Sequence, residues 1–123
     1  MAKVKDPSDT SGRLIAASKV NGTNVYNRAS EKLGHIHDLM LDKFSGRVEY
    51  AIMSFGGFLG IGDRYHALPW RILTYEPSEG GYVVDMDRRQ LEGAPSFSAN
   101  EMALWDDPAY GRQVTDYYDG VLL

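Results

Sequence analysis

The chain has 123 residues, of which 43% are hydrophobic and 24% are charged, and this composition is typical of a single folded domain. Its formal net charge of −4 argues against direct nucleic-acid binding and against an anionic membrane surface, because both partners require a basic face. The sequence contains no cysteine, which excludes disulfides, thiolate catalysis and cysteine-ligated metal centres.

The first residues and the hydropathy of the chain indicate where the protein acts. Residues 1–11 are polar, show no periodicity and lack the apolar core of a signal peptide, so we expect a flexible N-terminal arm. The longest apolar run is far shorter than the ~20 residues of a membrane-spanning helix. We therefore expect a cytoplasmic protein without a transmembrane segment.

Short strand-like runs, separated by turn residues, follow the arm. The runs cover residues 14–17, 25–27, 34–42, 48–54, 64–68 and 82–85, with a further extended segment at residues 70–76. Asn21-Gly22 predicts a tight turn, as do Gly46 and Gly80, because these residues tolerate a positive φ. In residues 34–42 apolar side chains lie on both faces, which indicates a bulge or a strand covered on both sides. Several short strands without alternating helices predict an antiparallel barrel or sandwich.

The chain changes character after residue 86. Asp87 is the predicted N-cap of a short helix that ends near Leu91, with Gly93 as its stop. A second short helix is predicted at residues 101–105, and residues 110–118 show the apolar spacing of a helical turn. The C-terminal part is therefore predicted to be helical.

Five segments, in this order and spacing, resemble the PRC-barrel family, which is named for the cytoplasmic domain of the photosynthetic reaction centre H subunit. They are Leu33-Gly34-His35-Ile36-His37-Asp38-Leu39, Ser45-Gly46-Arg47-Val48, Tyr50-Ala51-Ile52-Met53, Gly56-Gly57-Phe58-Leu59-Gly60-Ile61-Gly62 and Ala67-Leu68-Pro69-Trp70. The resemblance implies a mainly β fold, with a small antiparallel β-barrel over residues 12–86 and a C-terminal extension over residues 87–123. The extension is similar to that of small stand-alone bacterial members, and its short helices are expected to pack on the barrel or on a partner subunit. The resemblance implies no reaction, catalytic residue or cofactor, because its marks are turn and core positions.

The loop over residues 56–62 carries four glycines and three large apolar side chains. Its glycine order, G-G-x-x-G-x-G, is not the dinucleotide fingerprint and lacks the lysine of a P-loop, so it does not favour phosphate binding. Phe58, Leu59 and Ile61 either fold back to plug the barrel, which is the interpretation we favour, or form an exposed protein-contact patch.

Aromatic residues recur in the C-terminal extension, at Trp105, Tyr110, Tyr117 and Tyr118. A small barrel leaves strand edges that must be covered. The aromatic tail either covers such an edge in its own chain or reaches a partner subunit, and we expect a homodimer.

Three histidines and four carboxylates are candidates for a metal site or an acid–base site. His35 and His37 share a strand face, and with His66 they would form a three-histidine metal site. The alternative is an ordinary surface role for the first two and strand packing near Trp70 for His66. The carboxylates are Asp38, Asp42, Glu49 and Asp63. No motif pairs any of them with a nucleophile, so we expect no enzymatic activity.

The sequence therefore predicts a non-enzymatic protein-interaction or assembly module whose protein partner is not identified. Its predicted contact residues are Phe58, Leu59, Ile61, Trp105, Tyr117 and Tyr118. One alternative is a small-ligand or metal-binding protein. The other is a ribosome- or RNA-processing-associated adaptor, by analogy with the ribosome maturation factor that carries a related domain.

Overall fold

The fold is built on a six-stranded sheet, and the computed structural model describes residues 13–55, 64–98, 100–101, 105 and 107–122. Within these residues the strands are β1 (Asn24–Tyr26), β2 (Lys32–Leu41), β3 (Val48–Phe55), β4 (Arg64–Pro69), β5 (Thr74–Glu76) and β6 (Gly81–Val83). The α-helices are α1 (Ala17–Val20), α2 (Arg88–Glu92) and α3 (Pro108–Leu122), and a 3₁₀ turn covers Trp70–Ile72.

The order of the strands across the sheet is β4-β3-β2-β1-β6-β5. Neighbouring strands are antiparallel except for β1 and β6, which run parallel. The predicted mainly β class is confirmed, but the predicted closed antiparallel barrel is wrong. The sheet is mixed, and in the described part of the chain no ladder joins the outer strands β4 and β5. Pro69 has no amide hydrogen to donate, and the 3₁₀ turn after it separates the two edge strands.

Strand β3 lies at the centre of the core because both of its faces are buried in its second half. Each residue from 51 to 55 is at most 8% exposed. Met53 lies across from His66 on one face, and Ile52 lies across from Ala67 on the other. A strand that is buried on both faces needs a layer of structure on each of them.

The C-terminal extension covers the second face of β3 and the free edge of β4. Phe97 and Tyr65 exchange two backbone hydrogen bonds, each 2.9 Å long, along the outer edge of β4. Tyr50 on β3 packs against Trp105, with ring centroids 5.0 Å apart. The Tyr50 hydroxyl also lies 3.1 Å from Oγ1 of Thr115 on α3. The extension therefore protects backbone groups and apolar side chains that the sheet alone would leave in water.

Several turns and caps agree with the sequence prediction. β2 shows two register irregularities against β3, which correspond to the bulge, one of the two alternatives that the sequence left open for this strand. Asp87 caps α2 by accepting a 2.8 Å hydrogen bond from the Gln90 amide, in a capping box. Gly46 and Gly80 have φ values of 79° and 66°, as predicted for turn glycines.

Three local predictions are wrong. Residues 14–17 do not form a strand, because the chain enters helix α1 at Ala17, and alanine favours helix. Residues 70–72 form the 3₁₀ turn in place of extended backbone. Helix α3 has 15 residues, so the extension does not consist only of short helices. The second predicted helix, at residues 101–105, lies largely outside the described residues.

Candidate interaction surface

Strands β2 and β3 form a hairpin whose turn carries exposed apolar side chains. We use the term hairpin tip for residues 41–48. Phe44 is 95% exposed and Leu41 is 54% exposed. Among the described residues, the only other large apolar side chain with an exposure of more than half is Leu14, near the start of the described chain. Strand β2 continues six residues beyond His35, where its ladder with β1 ends, so β1 does not cover the hairpin tip.

The backbone of the hairpin tip is held by the side chain of Asp42. Its Oδ1 atom accepts hydrogen bonds from the amides of Phe44, at 2.8 Å, and Ser45, at 2.9 Å. The Gly46 amide donates to the Asp42 carbonyl, and the Asp42 amide donates to the Arg47 carbonyl. The hydrogen bonds from Ser45 and Phe44 lower the pKa of Asp42, because they stabilise its charged form. Phe44 is therefore exposed on an ordered turn.

A groove of about 300 Å³ begins at the hairpin tip and runs between β3, the 3₁₀ turn and α3. Its apolar wall is formed by Val48, Tyr50, Pro69 and Trp70. Trp70 is partly buried and packs against Tyr82, with ring centroids 5.4 Å apart. Arg47 and Val48 belong both to the hairpin tip and to the lining of the groove, so the groove begins three residues after the exposed Phe44.

Charged side chains surround the groove. Arg71 forms an ion pair with Asp119 of α3, which ties the 3₁₀ turn to that helix. Arg47 and Glu49 also line the groove, and both are exposed. Neither of them takes part in an ion pair within the described part of the chain. Their charges are therefore available to a partner.

The aromatic residues predicted as contacts differ in their surroundings. Tyr118 is 0% exposed and is part of the core of its own chain. Tyr117 is half-buried, and its hydroxyl donates to the Gln90 carbonyl on α2. Trp105 is half-buried and packs against Tyr110, with ring centroids 5.0 Å apart. All three side chains pack against other residues of their own chain, as in the first of the two alternatives for the aromatic tail.

The other predicted contact residues, Phe58, Leu59 and Ile61, lie outside the described residues. The choice between a barrel plug and a contact patch for the loop at residues 56–62 therefore stays a prediction.

The three histidines are not brought together. His35 pairs with Ser54 on β3, whereas His66 pairs with Met53, and successive residues of a strand point to opposite faces. His37 lies on the His35 side, with its ring 4.6 Å from that of Tyr65. Within the described ranges no three metal-ligating side chains form a cluster.

His66 lies on β4 next to Met53 of β3 and is buried in the core. It is 3% exposed and packs edge-on against Phe55, with ring centroids 5.3 Å apart. Burial lowers its pKa to about 4, an effect that the Pro95 carbonyl opposes and the Arg64 charge assists. Its Nδ1 atom has no hydrogen-bond partner among the described residues. The imidazole is therefore neutral at pH 7 and enclosed by apolar neighbours.

The hairpin tip was missed by the sequence prediction, which treated residues 43–46 only as a turn. The signal was present, because Phe44 is a large apolar side chain in an otherwise polar turn. Its exposure depends on how far β1 extends beside β2, and the local sequence does not show this.

The fold defines a small, mainly β domain with a helical C-terminal extension. Residues 12–91, well over half of the chain, match the family described as PRC-barrel domain. The chain therefore belongs to the PRC-barrel family, which confirms the resemblance seen in its sequence. No curated protein matches the chain significantly.

Among solved structures, the chain is similar to a putative 16S ribosomal RNA processing protein RimM from Pseudomonas aeruginosa, with 19% identity and a TM-score of 0.40. The match covers 72% of this chain and 50% of that one, so this chain spans about half the length of that protein. A likeness of this size carries no argument about function. Within the described residues, no helix combines the length and the apolar character needed to cross a bilayer.

Proposed function

We propose that this chain is a non-enzymatic protein-interaction module that contacts its partners through the hairpin tip. The observation that carries the proposal is the 95% exposure of Phe44, together with the 54% exposure of Leu41 beside it. Fully burying a side chain such as Phe stabilises a complex by about 1.5–3 kcal/mol relative to leaving it in water. A large aromatic side chain of this kind is suited to be the central anchor of an interface.

The well-defined conformation of the turn supports this proposal. Asp42 holds the backbone under Phe44 through two hydrogen bonds, so the aromatic ring is presented before any partner arrives. Binding then costs less conformational entropy than it would for a disordered loop. Lys43 and Arg47 are exposed beside Phe44 and supply the polar rim that surrounds the apolar centre of most interfaces.

The non-enzymatic part of the proposal is supported by the positions of the titratable groups. Asp42 accepts hydrogen bonds in a turn, and Asp38 accepts one from the adjacent Leu39 amide, at 2.8 Å. His66 is enclosed in the core. A general acid or base must reach a substrate from a cleft, and of the candidate groups in the described part of the chain only Glu49 lines the groove. No second carboxylate and no histidine of the described residues lines the groove with Glu49, so it has no partner there for acid–base work.

The test is capture of partners by the immobilised chain and by two matched variants. We expect Phe44→Ser to lose a specific partner that the wild-type chain retains, whereas Leu14→Ser, at an exposed apolar residue outside the hairpin tip, keeps it. Both variants should have the wild-type circular dichroism spectrum. Equal capture by all three proteins would show that the hairpin tip is not the contact surface. Capture of ribosomal subunits, lost in Phe44→Ser, would specify the ribosome-associated adaptor.

A further inference from the structure

The hairpin tip and the groove are neighbours, and together they carry both halves of an interface. We propose that the hairpin tip of one copy docks into the groove of a second copy, and the reverse, which forms a two-fold symmetric dimer. The inference deepens the proposed function, because it names one partner of the same surface.

Self-association of this kind requires a surface that is complementary to itself. In a two-fold dimer, residue i of one copy contacts residue j of the other, and j contacts i in return. A projection and a recess on the same surface satisfy this condition when they lie side by side. Phe44 is the projection, and the groove beside Tyr50 and Trp70 is the recess.

The spacing between the two parts is short. The lining of the groove begins at Arg47, three residues after Phe44, and residues 44–47 belong to the turn before β3. Three residues span at most about 11 Å even when fully extended, so Phe44 lies near this end of the groove, and the two-fold axis would pass between Phe44 and the recess beside Tyr50, close to Val48. A groove of about 300 Å³ has room for the phenyl ring of Phe44.

The charges beside Val48 are complementary under the same symmetry. Arg47 and Glu49 flank Val48, both are exposed, and neither takes part in an ion pair with any of the described residues. A two-fold axis near Val48 brings Arg47 of each copy towards Glu49 of the other. The interface would then contain two reciprocal ion pairs, a feature that an unrelated partner would not need.

The first test is the oligomeric state of the full chain, measured by sedimentation equilibrium over a range of concentrations. We expect a dimer for the wild-type chain and for Leu14→Ser, and an increase in the dimer Kd of about 30-fold or more for Phe44→Ser. A wild-type chain that stays monomeric at the highest concentration would overturn the inference. The proposed function would still stand if Phe44→Ser then abolished capture of a different protein, so the two failures are distinguishable.

The second test exchanges the charges. Arg47→Glu gives two like-charge pairs across the axis, and so does Glu49→Arg, so each single variant should dimerise more weakly than the wild type. When the two variants are mixed, every pair again joins opposite charges, and we expect a heterodimer detectable by native mass spectrometry. Weak association of both singles without recovery in the mixture would refute the reciprocal pairing.

The third test uses the natural absence of cysteine. Val48→Cys would introduce a single thiol near the proposed axis, and a disulfide forms when the two Cα atoms lie within about 7 Å. We expect oxidation to yield a covalent dimer from Val48→Cys and none from Thr74→Cys, whose thiol would lie on the outer strand β5. The same yield from both variants would indicate random collision and would contradict the proposed geometry.

Discussion

The two ends of the β2–β3 hairpin differ in what covers them. We use the term hairpin base for residues 33–36 and 51–55, where each residue of β3 is at most 8% exposed. At the hairpin tip, by contrast, Phe44 is 95% exposed. The same two strands thus pass from the centre of the core into solvent.

The difference arises from the lengths of the neighbouring elements. β2 has ten residues but β1 has three, and the ladder between them ends at His35. On the other face the extension packs beside the hairpin base, with Phe97 against Tyr65 on β4 and Trp105 against Tyr50 on β3. The hairpin therefore extends beyond both of its supports, and apolar side chains at the two ends serve different purposes. At the base they stabilise the fold, whereas at the tip they are available to a partner.

The largest expected effect comes from removing a buried aromatic side chain of the extension, which packs beside the hairpin base. Phe97 is 0% exposed and packs against Tyr65, Trp105 and Tyr110. We expect Phe97→Ala to lower the free energy of unfolding by about 4 kcal/mol, because it removes buried apolar area and leaves a cavity. Urea denaturation measures the change. A loss below about 1 kcal/mol would mean that the extension is not an integral layer of the core.

The next effect concerns two glycines, one at each end of the hairpin. A Cβ atom on Gly34 would collide with the Ser54 carbonyl oxygen, so Gly34→Ala forces two backbone segments apart. We expect a loss of about 3 kcal/mol in unfolding free energy.

The matched control is Gly46 in the hairpin tip. It has a positive φ of 79°, but no atom lies within 4 Å of an added Cβ. Gly46→Ala should therefore cost only about 1 kcal/mol, from backbone strain alone. Equal losses at Gly34 and Gly46 would contradict the difference in packing between base and tip.

A smaller effect should appear as a pH dependence of stability due to His66, which lies on β4 beside Met53 of the hairpin base. The folded pKa of His66 is about 4, below the ordinary value of 6.5, because burial disfavours the imidazolium. As the pH falls below 6.5 the unfolded chain binds a proton before the folded chain does, so stability is lost between pH 6.5 and 4. We expect a loss of about 2 kcal/mol between pH 7 and pH 5.

Two variants separate this contribution from that of other groups. His66→Gln should remove this part of the pH dependence, whereas His37→Gln, at an exposed histidine, should retain it. Urea denaturation at pH 5 and pH 7 gives the difference for each protein. An unchanged pH dependence in His66→Gln would show that folding does not lower the pKa of His66.

Much of the hairpin was predictable from the sequence, because its signals are local. Short apolar runs between turn residues predict β2 and β3, and Gly46 predicts the turn between them. Asp87 and Gly93 likewise predict the bounds of α2. Each of these signals lies within the element that it specifies.

The open, mixed sheet was not predictable in the same way. Its order depends on the parallel pairing of Val25 with Tyr82, which are far apart in the chain. The exposure of Phe44 also depends on a pairing, since β1 ends before it reaches the hairpin tip. The sequence of the turn shows that Phe44 is apolar, but it does not show whether another element covers the ring.

The smallest expected effect is that of Phe44→Ser on the stability of the monomer. The ring is nearly as exposed in the folded chain as in the unfolded one, and the Phe44 amide still donates to Asp42 in the variant. The change in unfolding free energy should therefore stay within about 0.5 kcal/mol when measured on dilute protein. At concentrations where the wild type dimerises, its stability should rise with concentration and that of Phe44→Ser should not, because association stabilises only the folded state. A large loss in dilute protein would instead mean that Phe44 packs within its own chain in solution, and the contrast between base and tip would be wrong.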